Sequence, residues 1–165
     1  MRKVAVVMGS DSDLGVMRAC ADTLRALEIP FCVRVLSAHR TPEAARDFAL
    51  NARADGFGVI IAAAGKAAHL AGAMAANTTL PVIGVPIKSS TLDGLDALLS
   101  TVQMPPGMPV ATVAIDGAKN AALLAAQIIA VEDTDLAGRL MADREATKAK
   151  ILAKDAQISA EFAQE

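Results

Sequence analysis

The chain has only two histidines, and each follows a short apolar run: His39 in Ser37-Ala-His-Arg-Thr-Pro42 and His69 in Ala64-Gly-Lys-Ala-Ala-His69. An imidazole titrates near neutrality, so it is the side chain best fitted to give a proton and then take one back. A third polar cluster, Gly9-Ser-Asp-Ser-Asp13, follows the first apolar run. There the hydroxyls of Ser10 and Ser12 and the backbone N–H groups of a strand-to-helix turn form a seat for phosphate, and Asp13 is placed to accept from ribose hydroxyls. Helix N-capping by Ser10 or Ser12 accounts for the same pattern without a ligand. In the second cluster Ser37, His39 and Arg40 stand together, and Arg40 supplies the planar fork that suits phosphate.

The segment from Ile61 to Gly72 is built almost wholly of small residues around one imidazole, His69, and one ammonium, Lys66. Small side chains let a ligand approach the backbone closely, and a helix N-terminus at His69 favours its neutral form. Neither a Gly-x-Gly-x-x-Gly nor a Gly-x-x-x-x-Gly-Lys-Ser/Thr pattern occurs, so dinucleotide binding and Mg-ATP chemistry are not expected.

These loops need a scaffold, and the hydrophobic pattern supplies one. Strand-like runs at Val4 to Met8, Phe31 to Leu36, Phe57 to Ala62, Pro81 to Val85 and Val110 to Ile115 alternate with helical segments. The helices are expected at about Asp13 to Leu27, Pro42 to Ala54, Ala67 to Asn77, Gly94 to Val102 and Lys119 to Val131. Strands apolar on both faces belong between two helical layers. The pattern predicts an α/β three-layer sandwich with a mostly parallel five-stranded sheet in the flavodoxin-like order, whose ligands bind at the carboxyl ends of the strands. Thr41 reads as an N-cap with Pro42 in the first helical turn. Pro86, Pro105, Pro106 and Pro109 read as punctuation of the later connections.

The 165 residues fit one α/β domain, here placed at 1–132, followed by a helix over 133–165. A net charge of −2 and an aromatic content of 2% leave no basic footprint or stacking platform for nucleic acid. No segment reaches the length of a membrane span, and the apolar run after Arg2 and Lys3 is too short for a signal peptide, so a cytoplasmic protein is expected. Cys20 and Cys32 lack metal-ligand or redox spacing and read as small core residues. The last helix is polar apart from a thin line of Leu136, Leu140, Ile151, Ile158 and Phe162, which a neighbouring subunit is expected to cover.

Several segments together resemble one family. Gly9-Ser-Asp-Ser-Asp13, Ser37-Ala-His-Arg-Thr-Pro42, Ala67-Ala-His-Leu70, Leu80-Pro-Val-Ile-Gly-Val-Pro86 and Leu95-Asp-Ala-Leu-Leu-Ser-Thr-Val-Gln-Met-Pro105 are similar, in order, to class I N5-carboxyaminoimidazole ribonucleotide mutases of bacterial purine synthesis. The likeness continues through Gly107-Met-Pro-Val-Ala-Thr112 and Asn120-Ala-Ala-Leu-Leu-Ala125. It implies transfer of a carboxylate from the exocyclic nitrogen of an aminoimidazole ribonucleotide to the neighbouring ring carbon, by decarboxylation and recarboxylation, with no ATP, metal or organic cofactor. It also implies a homo-octamer with sites at subunit contacts.

Carried onto this sequence, Ser10, Ser37 and Arg40 would hold phosphate and Asp13 the ribose, with Ser12 and His39 lining the pocket. His69 would move the proton, and Ala64, Gly65, Lys66, Ala68 and Leu70 would form the carbon-dioxide side. The family's third loop usually reads Gly-Ala-Gly-Gly-Ala-Ala-His-Leu-Pro-Gly, whereas here Lys66 replaces the second glycine of the pair and Ala71 the proline. A carboxylase or decarboxylase using free carbon dioxide would need the same proton shuttle, and a diverged nucleotide-binding oligomer without catalysis is the reading the Lys66 change leaves open.

Overall fold

A computed structural model describes residues 1–90 and 92–163. Its five strands are β1 (Lys3–Met8), β2 (Phe31–Val35), β3 (Phe57–Gly65), β4 (Val82–Ile87) and β5 (Ala111–Thr112). They form one all-parallel sheet in the order β2-β1-β3-β4-β5. The helices are α1 (Leu14–Ala26), α2 (Pro42–Asn51), α3 (Leu70–Ala75), α4 (Leu95–Val102), α5 (Ala118–Ala130) and α6 (Thr134–Phe162). The flavodoxin-like sandwich expected from the sequence is the observed fold.

Alternation along each strand divides the core in two. Val4, Val6 and Met8 of β1 face a layer made by α1 and α5, while Ala5 and Val7 face α2 and α3. The same split runs through β3, where Val59, Ile61 and Ala63 go one way and Ile60 and Ala62 the other. Period-two side chains on a doubly covered strand leave no polar face, which is why these runs read as continuous apolar stretches. The chain moves outward from β1 to β2 and then returns past β1 to β3, so the crossover direction reverses and the covering helices change face. The crevice at that reversal opens between the carboxyl ends of β1 and β3.

Several boundaries differ from expectation. β3 continues to Gly65, because Ala63, Ala64 and Gly65 pair with Val85, Pro86 and Ile87. Pro86 therefore lies inside β4 instead of ending it. Its carbonyl accepts from the Asp116 N–H at 2.9 Å, so its nitrogen faces the β5 side, where a missing donor ends the ladder. As a result β5 stops at Thr112, short of the expected Ile115. The α3 helix starts at Leu70, three residues later than expected, with His69 at its N-cap position.

The Asp133 carboxylate caps α6 by accepting from the Leu136 N–H at 2.9 Å. Leu136 is fully buried and Leu140 packs beside it on the α1/α5 layer, and Arg139 donates from Nε to the Leu27 carbonyl at 3.0 Å. From Met141 to Phe162 the helix is exposed. The apolar line is therefore divided: its first turns fold back on their own domain, and Ile151, Ile158 and Phe162 remain uncovered. The expected segment 133–165 ends with two residues, 164 and 165, that lie outside those described.

Candidate active site

The first loop leaves β1 at Met8 and turns through Ser10 into a 3-10 turn at Asp11–Asp13. The Ser10 side chain caps that turn, accepting from the Ser12 N–H at 3.3 Å, and the Ser12 hydroxyl donates to Asp13 Oδ1 at 3.3 Å. Asp13 is only 7% exposed, and burial pushes its carboxyl above the usual carboxylate range. Hydrogen bonds from Ser12 and the Ser10 backbone, and the Arg40 charge, oppose that shift without cancelling it.

The second loop is held by its own side chains. Ser37 Oγ accepts from the N–H groups of His39 and Arg40 at 3.3 and 3.0 Å. The Thr41 hydroxyl accepts from the Ser37 N–H at 2.9 Å and makes no cap to α2, the role expected from its position. Both contacts use the seryl and threonyl oxygens as acceptors, so the Ser37 hydroxyl proton stays available to a ligand. Arg40 reaches across to the first loop and donates from Nη2 to the Gly9 carbonyl at 2.8 Å. That contact aims the guanidinium over the β1 end, with further N–H groups free for an anion.

The two histidines meet. His39 Nε2 lies 2.8 Å from His69 Nδ1, with ring centroids 5.0 Å apart and planes at 87°. Thirty residues separate them in sequence, and they are joined because β2 and β3 flank β1. At 2.8 Å a single hydrogen sits between the two nitrogens. Either tautomeric arrangement then gives one outward nitrogen that donates and one that accepts, and those roles exchange when the donating nitrogen gives up its proton, the inner hydrogen crosses and the accepting nitrogen takes a proton up.

These loops enclose a cavity of about 680 Å³ at the carboxyl ends of the strands. Ser10, Ser12, Asp13, Ser37, His39, Arg40, Ala64, Gly65, Lys66, His69 and Leu70 all line it. Ala68 does not: it is buried beneath the loop, and its neighbour Ala67 lines the cavity instead. The sequence reading missed a fourth wall, Ile87-Lys-Ser-Ser90 after β4. The signal is the one used for the other loops, polar residues following an apolar run, but Pro86 in the sequence reads as punctuation after the strand and masks it.

Two larger grooves, of about 860 and 910 Å³, open near Gly56 and Pro81 and near Thr78 and Pro109, and neither contains a histidine. No group of three or more His, Cys, Asp or Glu side chains suited to a metal occurs among the described residues. The Cys20 thiol is buried, which pushes it up to about 12, and it takes no part in the cavity.

The profile of the AIR carboxylase family matches residues 3–150. The chain belongs to that family. Among its relatives, the N5-carboxyaminoimidazole ribonucleotide mutase of Pyrococcus abyssi is 56% identical over 148 residues, covering 90% of this chain and 85% of that protein. The mutase of Bacillus subtilis is 52% identical over 157 residues, covering 94% and 97%. The crystal structure of Treponema denticola PurE superposes with a TM-score of 0.86 at 31% identity, covering 94% of this chain and 97% of that one. As an AIR carboxylase family member, the chain is thus similar to these proteins in sequence and in fold over most of its length.

Proposed function

We propose that the chain is an isomerase of purine synthesis that converts N5-carboxyaminoimidazole ribonucleotide into 4-carboxyaminoimidazole ribonucleotide. The observation that carries this reading is the hydrogen-bonded pair His39–His69 in the cavity of a chain so similar to mutases of that name. The reaction is proton-neutral overall. One proton must reach the exocyclic nitrogen as its carboxylate leaves as carbon dioxide, and one must leave the ring carbon after the new carbon–carbon bond forms. A pair that presents one donor and one acceptor nitrogen supplies the first proton and recovers the second, and so returns to its starting state. His69, at the head of α3 beside the small-residue wall of Ala64 and Gly65, is the proton carrier in contact with the base. His39 lines the pocket and sets which nitrogen of His69 carries hydrogen.

Ser10, Ser37 and Arg40 hold the phosphate through hydroxyls, backbone N–H groups and the guanidinium, while Asp13 accepts from the ribose and Ser12 steadies Asp13. The alanine and glycine wall with Leu70 lets the base lie close to the backbone and keeps water from freed carbon dioxide. No ATP, metal or organic cofactor enters this scheme. The uncovered stripe on α6 supports a homo-oligomer, which we place at an octamer in the cytoplasm, with the far part of α6 on a neighbouring subunit.

The test is turnover of N5-carboxyaminoimidazole ribonucleotide by wild type and His69→Asn, with aminoimidazole ribonucleotide plus bicarbonate as the comparison substrate. Loss of about 10²–10⁴-fold in turnover with nucleotide affinity retained is expected, the usual contribution of a positioned proton carrier. Near-normal turnover in the variant would remove His69 from the mechanism. Faster reaction from bicarbonate than from the N-carboxylated nucleotide would make the protein a carboxylase.

A further inference from the structure

Gly65 of β3 and Ile87 of β4 are register partners, and Lys66 and Ser89, just beyond those two strand ends, both line the cavity. The strands are tightly apposed there: a Cβ on Gly65 would lie 3.2 Å from the Ile87 carbonyl oxygen and 3.9 Å from Ser89 Cβ. Lys66 has φ +55°, a left-handed conformation that strains any residue with a side chain and that glycine adopts freely. Strain retained at a cavity wall points to a use for the side chain.

The charge itself is unspent. Of the cavity's cations, Arg40 is bound to Gly9 and Lys88 is paired with Asp93 at 3.0 Å, while no carboxylate among the described residues lies within 4 Å of the Lys66 ammonium. The Ser89 hydroxyl oxygen is buried and has no hydrogen-bond partner among the described residues. A buried hydroxyl without a partner costs folding free energy that a bound oxygen restores. A nucleotide whose phosphate sits at the β1 and β2 ends extends its base across the strand ends towards β3 and β4.

We infer that Lys66 and Ser89 together hold the carboxylate of the nucleotide, the ammonium as counter-charge and the hydroxyl as a second donor, making this pair the element that distinguishes carboxylated from uncarboxylated ligand. The inference rests on the mutase reading for the identity of the nucleotide. Lysine at this position then does what a glycine cannot, by fixing the carboxyl group between its two points of attachment.

Calorimetric binding of 4-carboxyaminoimidazole ribonucleotide and of aminoimidazole ribonucleotide, which lacks only the carboxylate, separates the possibilities. Lys66→Met, which keeps the stem, should lose about tenfold in affinity for the carboxylated ligand and stay within about twofold for the other; Lys66→Arg should recover most of the loss, as expected for a charge-assisted contact. Ser89→Ala should weaken the carboxylated ligand alone, by about threefold or more. Lys66→Gly should lose the same discrimination while melting no lower than wild type, since it relieves the left-handed strain; this keeps a folding defect apart from a binding defect. Unchanged discrimination between the two ligands in Lys66→Met, or equal weakening of both, would overturn the inference. Failure of wild type to interconvert the two carboxylated nucleotides would instead count against the mutase reading, because the binding comparison needs no turnover.

Discussion

Asp13 shows how a side chain is bought for function at the expense of the fold. A carboxyl whose folded value is raised holds its proton more tightly when folded, so its ionised form opposes folding at neutral pH. That opposition fades as pH falls through the raised value towards the ordinary 3.8. Asp13→Asn is therefore expected to melt above wild type at neutral pH, with the gap closing on acidification, and to bind nucleotide more weakly. An equal or lower melting temperature at neutral pH would show that the buried charge costs nothing. Asp13, His39, Arg40 and His69 were legible in the sequence because each is a polar group just past an apolar run. The hydrogen bond between the imidazoles was not, since it depends on the conformation of the two loops that carry them beyond the strand ends. Lys88 and Ser89 were hidden by Pro86, a residue normally foreign to central strands, tolerated here because its nitrogen faces the side where β5 has ended.

At the scale of elements, the close packing of α4 and α3 on β4 depends on Gly84. A Cβ at that position would collide with Thr101 Cγ2 and lie 3.1 Å from Val110 Cγ1 and 3.3 Å from Ala71 Cβ. Thr101 cannot swing away freely, because it is buried and its hydroxyl donates to the Ala97 carbonyl at 2.7 Å. Gly84→Ala should consequently cost about 1–3 kcal/mol, the usual range for overpacking, read as a lower urea midpoint. A midpoint equal to wild type would mean that α4 moves at no cost. The strands and their order were readable from apolar runs and alternation, and the helices from period and caps. The ends were not: β3 gained three residues from pairing with β4, and β5 lost three where Pro86 removed a donor. Both are effects of a neighbouring strand, which a local pattern does not contain.

The whole molecule leaves apolar surface that its own chain does not cover. With 29 residues, α6 is about 43 Å long, and only its first turns touch the domain. Ile151, Ile158 and Phe162 are each more than half exposed, and helical spacing keeps them within a sector of roughly 40°. A second exposed stripe, Leu95, Leu99 and Val102, runs along α4. Isolated exposed leucines need no explanation, but two periodic stripes on one small domain do. If neighbouring copies cover them, burying three large side chains of α6 supplies about 1.5–3 kcal/mol each, and stability becomes dependent on protein concentration. Deletion after Asp133 would not test this cleanly, because it also removes Leu136 and the Arg139 contact from the protomer's own core. A chain ending at Asp143 keeps both and loses only the uncovered part of the helix. Sedimentation should show it in a smaller assembly than the full chain, with native-like circular dichroism and a melting temperature that no longer rises with concentration to the same extent. An assembly of unchanged size and stability would mean that the far part of α6 is not an interface, and that whatever copies associate do so through α4 or another face.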